Sequence, residues 1–137
     1  MGQDNLNKDW RDNIFMPWKG VIIKESLSNP LKVNMDVRKI RETHLETEKE
    51  RGIMHLLYVE IDDKAKEKFI VEAKDSLKEG CWYIHICNKN EMVVIFKGKD
   101  FRIRNRNDIE KARNYGLSIG IKKGQMSFKN LMRDPWG

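Results

Sequence analysis

The chain has 137 residues, 39% hydrophobic and 35% charged, with a net charge of +6 at pH 7. That length suits one domain with a single core, and that balance excludes a disordered or low-complexity chain. No run approaches the ~20 apolar residues that cross a bilayer, residues 1–19 lack the apolar stretch of a secretory signal, and two cysteines cannot form the framework of a small secreted domain, so a soluble, cytoplasmic protein with no membrane partner is expected.

Residues 1–19 form an N-terminal arm in which Trp10, Ile14 and Trp18 recur at helical spacing and Pro17 limits any helix. Trp10, Phe15 and Trp18 either pack on the outside of the domain or meet a partner. The body, residues 20–128, opens at Gly20 with Val21-Ile22-Ile23, a β-branched strand closed by Ser28-Asn29-Pro30. From Val33, the residues Val33, Met35 and Val37 alternate with Asn34, Asp36 and Arg38, a half-wet strand running into the charged stretch Arg41 to Arg51. His55, Leu57, Val59 and Ile61 then line one face of a third strand whose other face carries Leu56 and Tyr58.

Asp62 and Asp63 stand where a helix needs its first amides satisfied, and Ala65, Phe69, Ala73 and Leu77 form one stripe ending at Gly80. Trp82, Ile84 and Ile86 alternate with Tyr83, His85 and Cys87, a turn at Asn88-Lys89-Asn90 follows, and Met92 to Phe96 returns as a hairpin. Lys97-Gly98-Lys99 leads to a shorter strand through Phe101 and Ile103. Asn107 with Glu110 reads as a capping box opening a helix that carries Ile109, Ala112 and Tyr115 inward and stops at Gly116. The tail, residues 129–137, is polar apart from Leu131, Met132 and Trp136. This order predicts an α+β fold: an antiparallel or mixed sheet of five to six strands with two helices, most simply on one face, in a ferredoxin-like variant.

Two stretches carry a resemblance: Trp82-Tyr83 with the hairpin through Phe101, and Tyr115-Gly116-Leu117-Ser118-Ile119-Gly120-Ile121 with Gln125 and Phe128 beyond. Together they resemble a group of small bacterial and archaeal proteins with no established activity, over roughly residues 21–128. Members often have proline where this chain has Lys122. The resemblance implies fold boundaries and transfers no catalytic residue or cofactor.

Among chemistry-bearing residues, Cys81, Tyr83, His85 and Cys87 share one strand face and mix thiol with imidazole. Their spacing along an extended strand spreads them too far for one zinc ion, and reads better as a packed face with reduced cysteines and no metal. Of the histidines, His44, His55 and His85, the last two could sit on neighbouring strands, and His55, Tyr83 and His85 are the candidate pocket residues of a small enzyme. Nothing nearby activates a cysteine, and no catalytic residue or cofactor is assigned. Gly116-x-x-x-Gly120 follows a helix rather than opening one, so a helix cap and a turn are expected in place of a phosphate loop. The C-terminal quarter is the positive end. Leading into it, Lys97, Lys99, Arg102, Arg104 and Arg106 line a hairpin with Phe96 and Phe101 interleaved, followed by Arg113, Lys122, Lys123 and Lys129. Arg102, Arg104 and Arg106 would share a strand face and could follow a nucleic-acid backbone, or could merely guard an edge strand. The preferred reading is a non-catalytic binding or interaction domain, self-associating as a homodimer through a strand edge or the aromatic arm. A nucleic-acid-binding domain and a His/Cys enzyme are its rivals.

Overall fold

The computed structural model describes residues 17–43, 52–89 and 91–137. Six strands, β1 (Trp18–Ile23), β2 (Asp36–Thr43), β3 (Met54–Ile61), β4 (Ile84–Asn88), β5 (Glu91–Phe96) and β6 (Lys99–Ile103), make one antiparallel sheet in the order β2-β3-β1-β4-β5-β6. Three helices join it: α1 (Lys66–Ser76), α2 (Arg106–Ser118) and α3 (Phe128–Arg133). The fold is α+β, with one helix more among the described residues than the two predicted. Both β3 and β4 pair antiparallel with β1, so they run parallel to each other with β1 between them. The segment from β3 through α1 to β4 is therefore a split βαβ unit, the element shared with ferredoxin-like folds.

The helices do not share a face. Phe69, Ile70, Ala73 and Leu77 pack with Trp18, Ile22, Val59, Ile61, Ile84, Ile86, Val93 and Ile95. The alternate residues Cys87, Met92, Val94, Phe96 and Ile103 pack instead with Ala112, Ile121, Met126 and Phe128. Side chains alternate across a strand, so α1 covers one face and α2 with α3 covers the other. Where the sheet is roofed on both sides, consecutive strand residues are all buried, as in Ile84 to Cys87 and Met92 to Phe96.

Several boundaries move from their predicted places. Trp18 and Lys19 belong to β1 rather than to an arm; Trp18 is buried in the core, and its indole donates to Asp63 Oδ1 at 2.8 Å. That bond uses the Asp63 carboxylate, and a 3-10 turn at Asp63–Ala65 leads into α1 with no side-chain cap. The helix ends with Leu77 as its cap residue, short of Gly80. Trp10, Ile14 and Phe15 lie outside the described residues. Strand β2 begins at Asp36, because the preceding loop is held elsewhere: the Lys32 and Val33 amides donate to Glu72 Oε1 at 2.8 and 3.0 Å, and Val33 enters the core. A bulge between Val37 and Lys39 then breaks the alternation read for this strand.

Helix α2 starts earlier and ends later than predicted. Asn105 is its cap, accepting from the Asp108 amide at 3.0 Å, while the Asp108 carboxylate accepts from the Arg104 amide at 3.1 Å. This is a cap two residues before the capping box read at Asn107, with Asp108 reaching back to the amide just ahead of the cap residue. Gly116 lies inside the helix, where a Cβ would stand 2.3 Å from Met126 Sδ, so the glycine serves close packing and not a stop. The turn falls at Gly120, whose φ of +98° suits glycine. The tail is docked: Phe128 is fully buried, and Trp136 packs edge-on against Tyr58 with ring centroids 6.2 Å apart.

Candidate functional site

Along and just before β4, alternation puts Cys81, Tyr83, His85 and Cys87 on the α2–α3 side of the sheet. Each of these side chains bonds a backbone carbonyl of the C-terminal segment. Cys81 Sγ donates to Ile119 O at 3.4 Å, Tyr83 Oη to Gln125 O at 2.6 Å and Cys87 Sγ to Leu131 O at 3.4 Å. His85 Nε2 lies 2.7 Å from Pro135 O. A carbonyl can only accept, so the His85 proton sits on Nε2 and Nδ1 is the ring's acceptor. A fifth bond runs the other way, from Trp136 Nε1 to Val59 O at 3.3 Å. The row that reads as a possible metal set is a line of donors clasping the last nineteen residues of the chain to the sheet. Among the described residues no group of His, Cys, Asp and Glu is placed to hold a metal ion.

The electrostatics of the row follow from burial. Burial pushes the Cys87 thiol and the Tyr83 phenol each up to about 12, so both stay protonated near neutrality. Burial also holds the His85 imidazole below its ordinary value, only partly offset by the Pro135 carbonyl, and keeps the ring neutral. Neither a thiolate nor an imidazolium stands ready here, and each donated proton already has an acceptor.

Between this clasp and β1 and β3 lies a cavity of about 270 Å³. Its walls are Val21 and Ile23 of β1, Leu56 and Tyr58 of β3, the approach to β4 with Cys81, Trp82, Tyr83 and His85, and a roof of Ile121, Gln125, Leu131 and Trp136. Arg41, from the adjoining edge strand β2, completes the lining. Cations stand against the aromatic rings. Lys39 Nζ is 4.7 Å and the Arg41 guanidinium 5.8 Å from the centre of Tyr58, and Lys19 Nζ is 4.9 Å from that of Trp136.

The predicted pocket residues are divided. Tyr83 and His85 line this cavity; His55 does not. His55 shares the opposite face of the sheet with Leu57 and Val59, and β1 separates β3 from β4, so the two histidines are not on neighbouring strands. The Glu25 carboxylate takes the His55 amide at 2.7 Å and the ring Nδ1 at 2.6 Å, and Glu42 lies 3.5 Å from Nε2. Burial raises the Glu25 pKa, but these bonds outweigh it and the net shift is downward. His55 borders a separate apolar groove of about 530 Å³ with Leu27, Leu31, Met35, Val37 and Ile40. His44 lies outside the described residues.

The basic hairpin is largely engaged with its own neighbours. Arg102 spans both Glu67 oxygens at 2.7 and 2.8 Å and reaches Asp100 Oδ2 at 3.2 Å. Its pKa is raised first by the Glu67 bond, against a smaller opposing effect of burial. Arg104 pairs with Glu91 at 3.1 Å, Lys97 donates to the Asp75 carbonyl, and Lys99 lies over Phe101 and Tyr115. Arg106 opens α2, and β6 ends at Ile103, so Arg102, Arg104 and Arg106 do not share a strand face.

Sequence reading missed Arg41, Tyr58, Gln125 and Trp136. The one signal was a large aromatic, Trp136, set in a polar tail. Compared with known protein families, curated proteins and solved structures, the chain matches none. The likeness carried by Trp82-Tyr83 and Tyr115 to Ile121 thus assigns no family.

Proposed function

We propose that this protein is a non-catalytic binding domain whose site is the aromatic-lined cavity under the C-terminal segment. The observation that carries this reading is the clasp. The thiol, phenol and imidazole donors that acid–base or nucleophilic chemistry needs are spent on the Ile119, Gln125, Leu131 and Pro135 carbonyls. What remains is a largely apolar, concave, preformed site with few polar groups, the usual character of a small-ligand pocket. The free thiols of Cys81 and Cys87 fit a cytoplasmic, reducing location. The test is a screen of small aromatic compounds against the full chain by two-dimensional NMR. The reading expects shifts at Tyr58, Trp82, Tyr83 and Trp136, and their absence with Leu131→Trp, which fills the cavity. Binding that persists in the filled variant counts against the cavity as the site.

A second reading, self-association through β2, rests on Val37 and Ile40, which are 45% and 61% exposed on an edge strand. Against it stand the bulge and the charges Arg38, Lys39 and Arg41, which blunt an edge for pairing. Sedimentation of the wild type and Ile40→Lys across a concentration series separates the two: a dimer that Ile40→Lys dissolves supports it. The nucleic-acid reading is weakened by the pairing of Arg102 and Arg104, since a phosphate backbone must displace Glu67, Asp100 and Glu91 to reach them.

A further inference from the structure

We propose that the cavity selects a small aromatic carboxylate, its ring among Tyr58, Trp82, Tyr83 and Trp136 and its anionic group at Arg41. This rests on the reading of the cavity as the binding site, and adds the charge and class of what enters.

Three features carry it. First, the described lining holds no Asp or Glu, and Arg41 is its formally charged side chain. A carboxylate entering beside Arg41 finds a planar donor fork matched to its two oxygens and meets no like charge in the walls. Second, an aromatic box ordinarily attracts a cation, but here the box already has its own. Lys39 and Arg41 stand against Tyr58, and Lys19 against Trp136. An incoming ammonium meets Arg41 in the wall and finds Tyr58 and Trp136 each already holding a cation against its ring. Glu60, on the same side of β3 as Tyr58, is paired with Arg38 at 2.9 Å, and so does little to offset them. Third, about 270 Å³ is just below the ~300–1,000 Å³ range of common ligand pockets, which favours one or two fused rings over an extended molecule. His85 fits the same pattern: its ring is 5% exposed and bonded through Nε2 to Pro135, so it contributes a neutral wall with Nδ1 as an acceptor.

Phenylacetate, phenylacetamide and phenethylamine hold the ring and linker constant while the head group runs from anion through neutral to cation. Titrated into the full chain and followed by NMR shifts and calorimetry, phenylacetate should bind about tenfold more tightly than the amide, with the amine weakest. Arg41→Gln should erase the preference, bringing phenylacetate down to about the affinity of phenylacetamide. Arg41 is exposed on an edge strand, so that variant leaves both halves of the core untouched. Equal or tighter binding of amide or amine, or a preference that survives Arg41→Gln, overturns the anionic class while leaving the cavity as the site. If none of the three moves the resonances of Tyr58 and Trp136 at millimolar concentration, the binding-site reading itself falls.

Discussion

On the α1 side of the sheet, Phe69, Ile70, Ala73 and Leu77 lie on aliphatic strand residues, and the element that covers the face follows directly from the strand it covers; on the other side, the cover is a segment joined to β4 by side chains 38 to 50 residues away in sequence. The first face is held by dense apolar burial of α1, the helix between β3 and β4, against residues of β1, β3, β4 and β5. The second combines the α2 packing around Phe96 with a set of individual hydrogen bonds, and keeps a cavity beside them. Burial of large apolar groups contributes several kcal/mol per side chain, whereas a single hydrogen bond contributes about 1 kcal/mol net. The α1 face should therefore set global stability. The clasp should set how readily the roof of the cavity opens, because beyond its buried anchors Ile121, Met126 and Phe128 that segment is held by separate polar contacts.

The strongest challenge to this comparison is Phe69→Ala. The ring is fully buried at the centre of the α1 face, and its removal should cost about 3–5 kcal/mol, a large share of the stability of a small domain. Urea unfolding measures it. A loss near 1 kcal/mol would mean that this face is no more important than the other.

Tyr83→Phe sharpens the contrast from the opposite side. It removes the bond to Gln125 O while keeping the ring against Phe96 and Phe128, and should cost about 1 kcal/mol. Native-state hydrogen exchange should then speed up at the Met126 and Leu131 amides with little change in α1. Equal acceleration in α1 would show that the two faces open as one unit.

These two sites also mark where sequence stops being informative. Phe69, Ala73 and Leu77 are legible because one face of α1 is wet and the spacing survives. Within β4 both faces are buried, so Ile84, His85, Ile86 and Cys87 give no contrast to say which side a helix takes, and the helices were expected together. For α2 the local chemistry is degenerate: Asn105 with Asp108 and Asn107 with Glu110 are both capping pairs, and only the structure shows the first in use. At the site, the donors Cys81, Tyr83, His85 and Cys87 were visible as a common face. Their acceptors were not, since every residue carries a carbonyl and none announces itself in sequence. A donor row without visible acceptors therefore reads as a packed face, with Tyr83 and His85 as candidates for a pocket. Arg41 was hidden in a charged stretch for the same reason: its meaning comes from the strand pairing with Leu56, not from its neighbours in the chain.

The clasp also makes a pH prediction. The folded His85 pKa is depressed by burial, so between the folded and unfolded values the unfolded chain binds more protons. Its contribution to stability is complete above the unfolded value of about 6.5 and declines as pH falls below it. The depressed carboxylates Glu25, Glu67 and Asp100 lose theirs only further into acid, as pH falls below their unfolded values near 4. The wild-type urea midpoint should fall from pH 6.5 to 5, and His85→Gln, which retains a donor for Pro135 O but cannot ionise, should flatten that decline. Parallel curves would break the link between a neutral His85 and the closed roof.

The smallest effect belongs to the surface of the α1 side, where Arg102 bridges Glu67 and Asp100. The geometry is bidentate, but Glu67 is well exposed, so solvent screens the attraction and two long side chains lose freedom to form it. Arg102→Ala should therefore cost about 0.5 kcal/mol or less, measured as a small shift of the urea midpoint that shrinks further in high salt. A loss above 1 kcal/mol would mean that α1 is tied to β6 by charge as well as by its apolar stripe. The α1 face would then depend, like the clasp, on separate polar links, and the contrast between the two faces would narrow to the cavity alone.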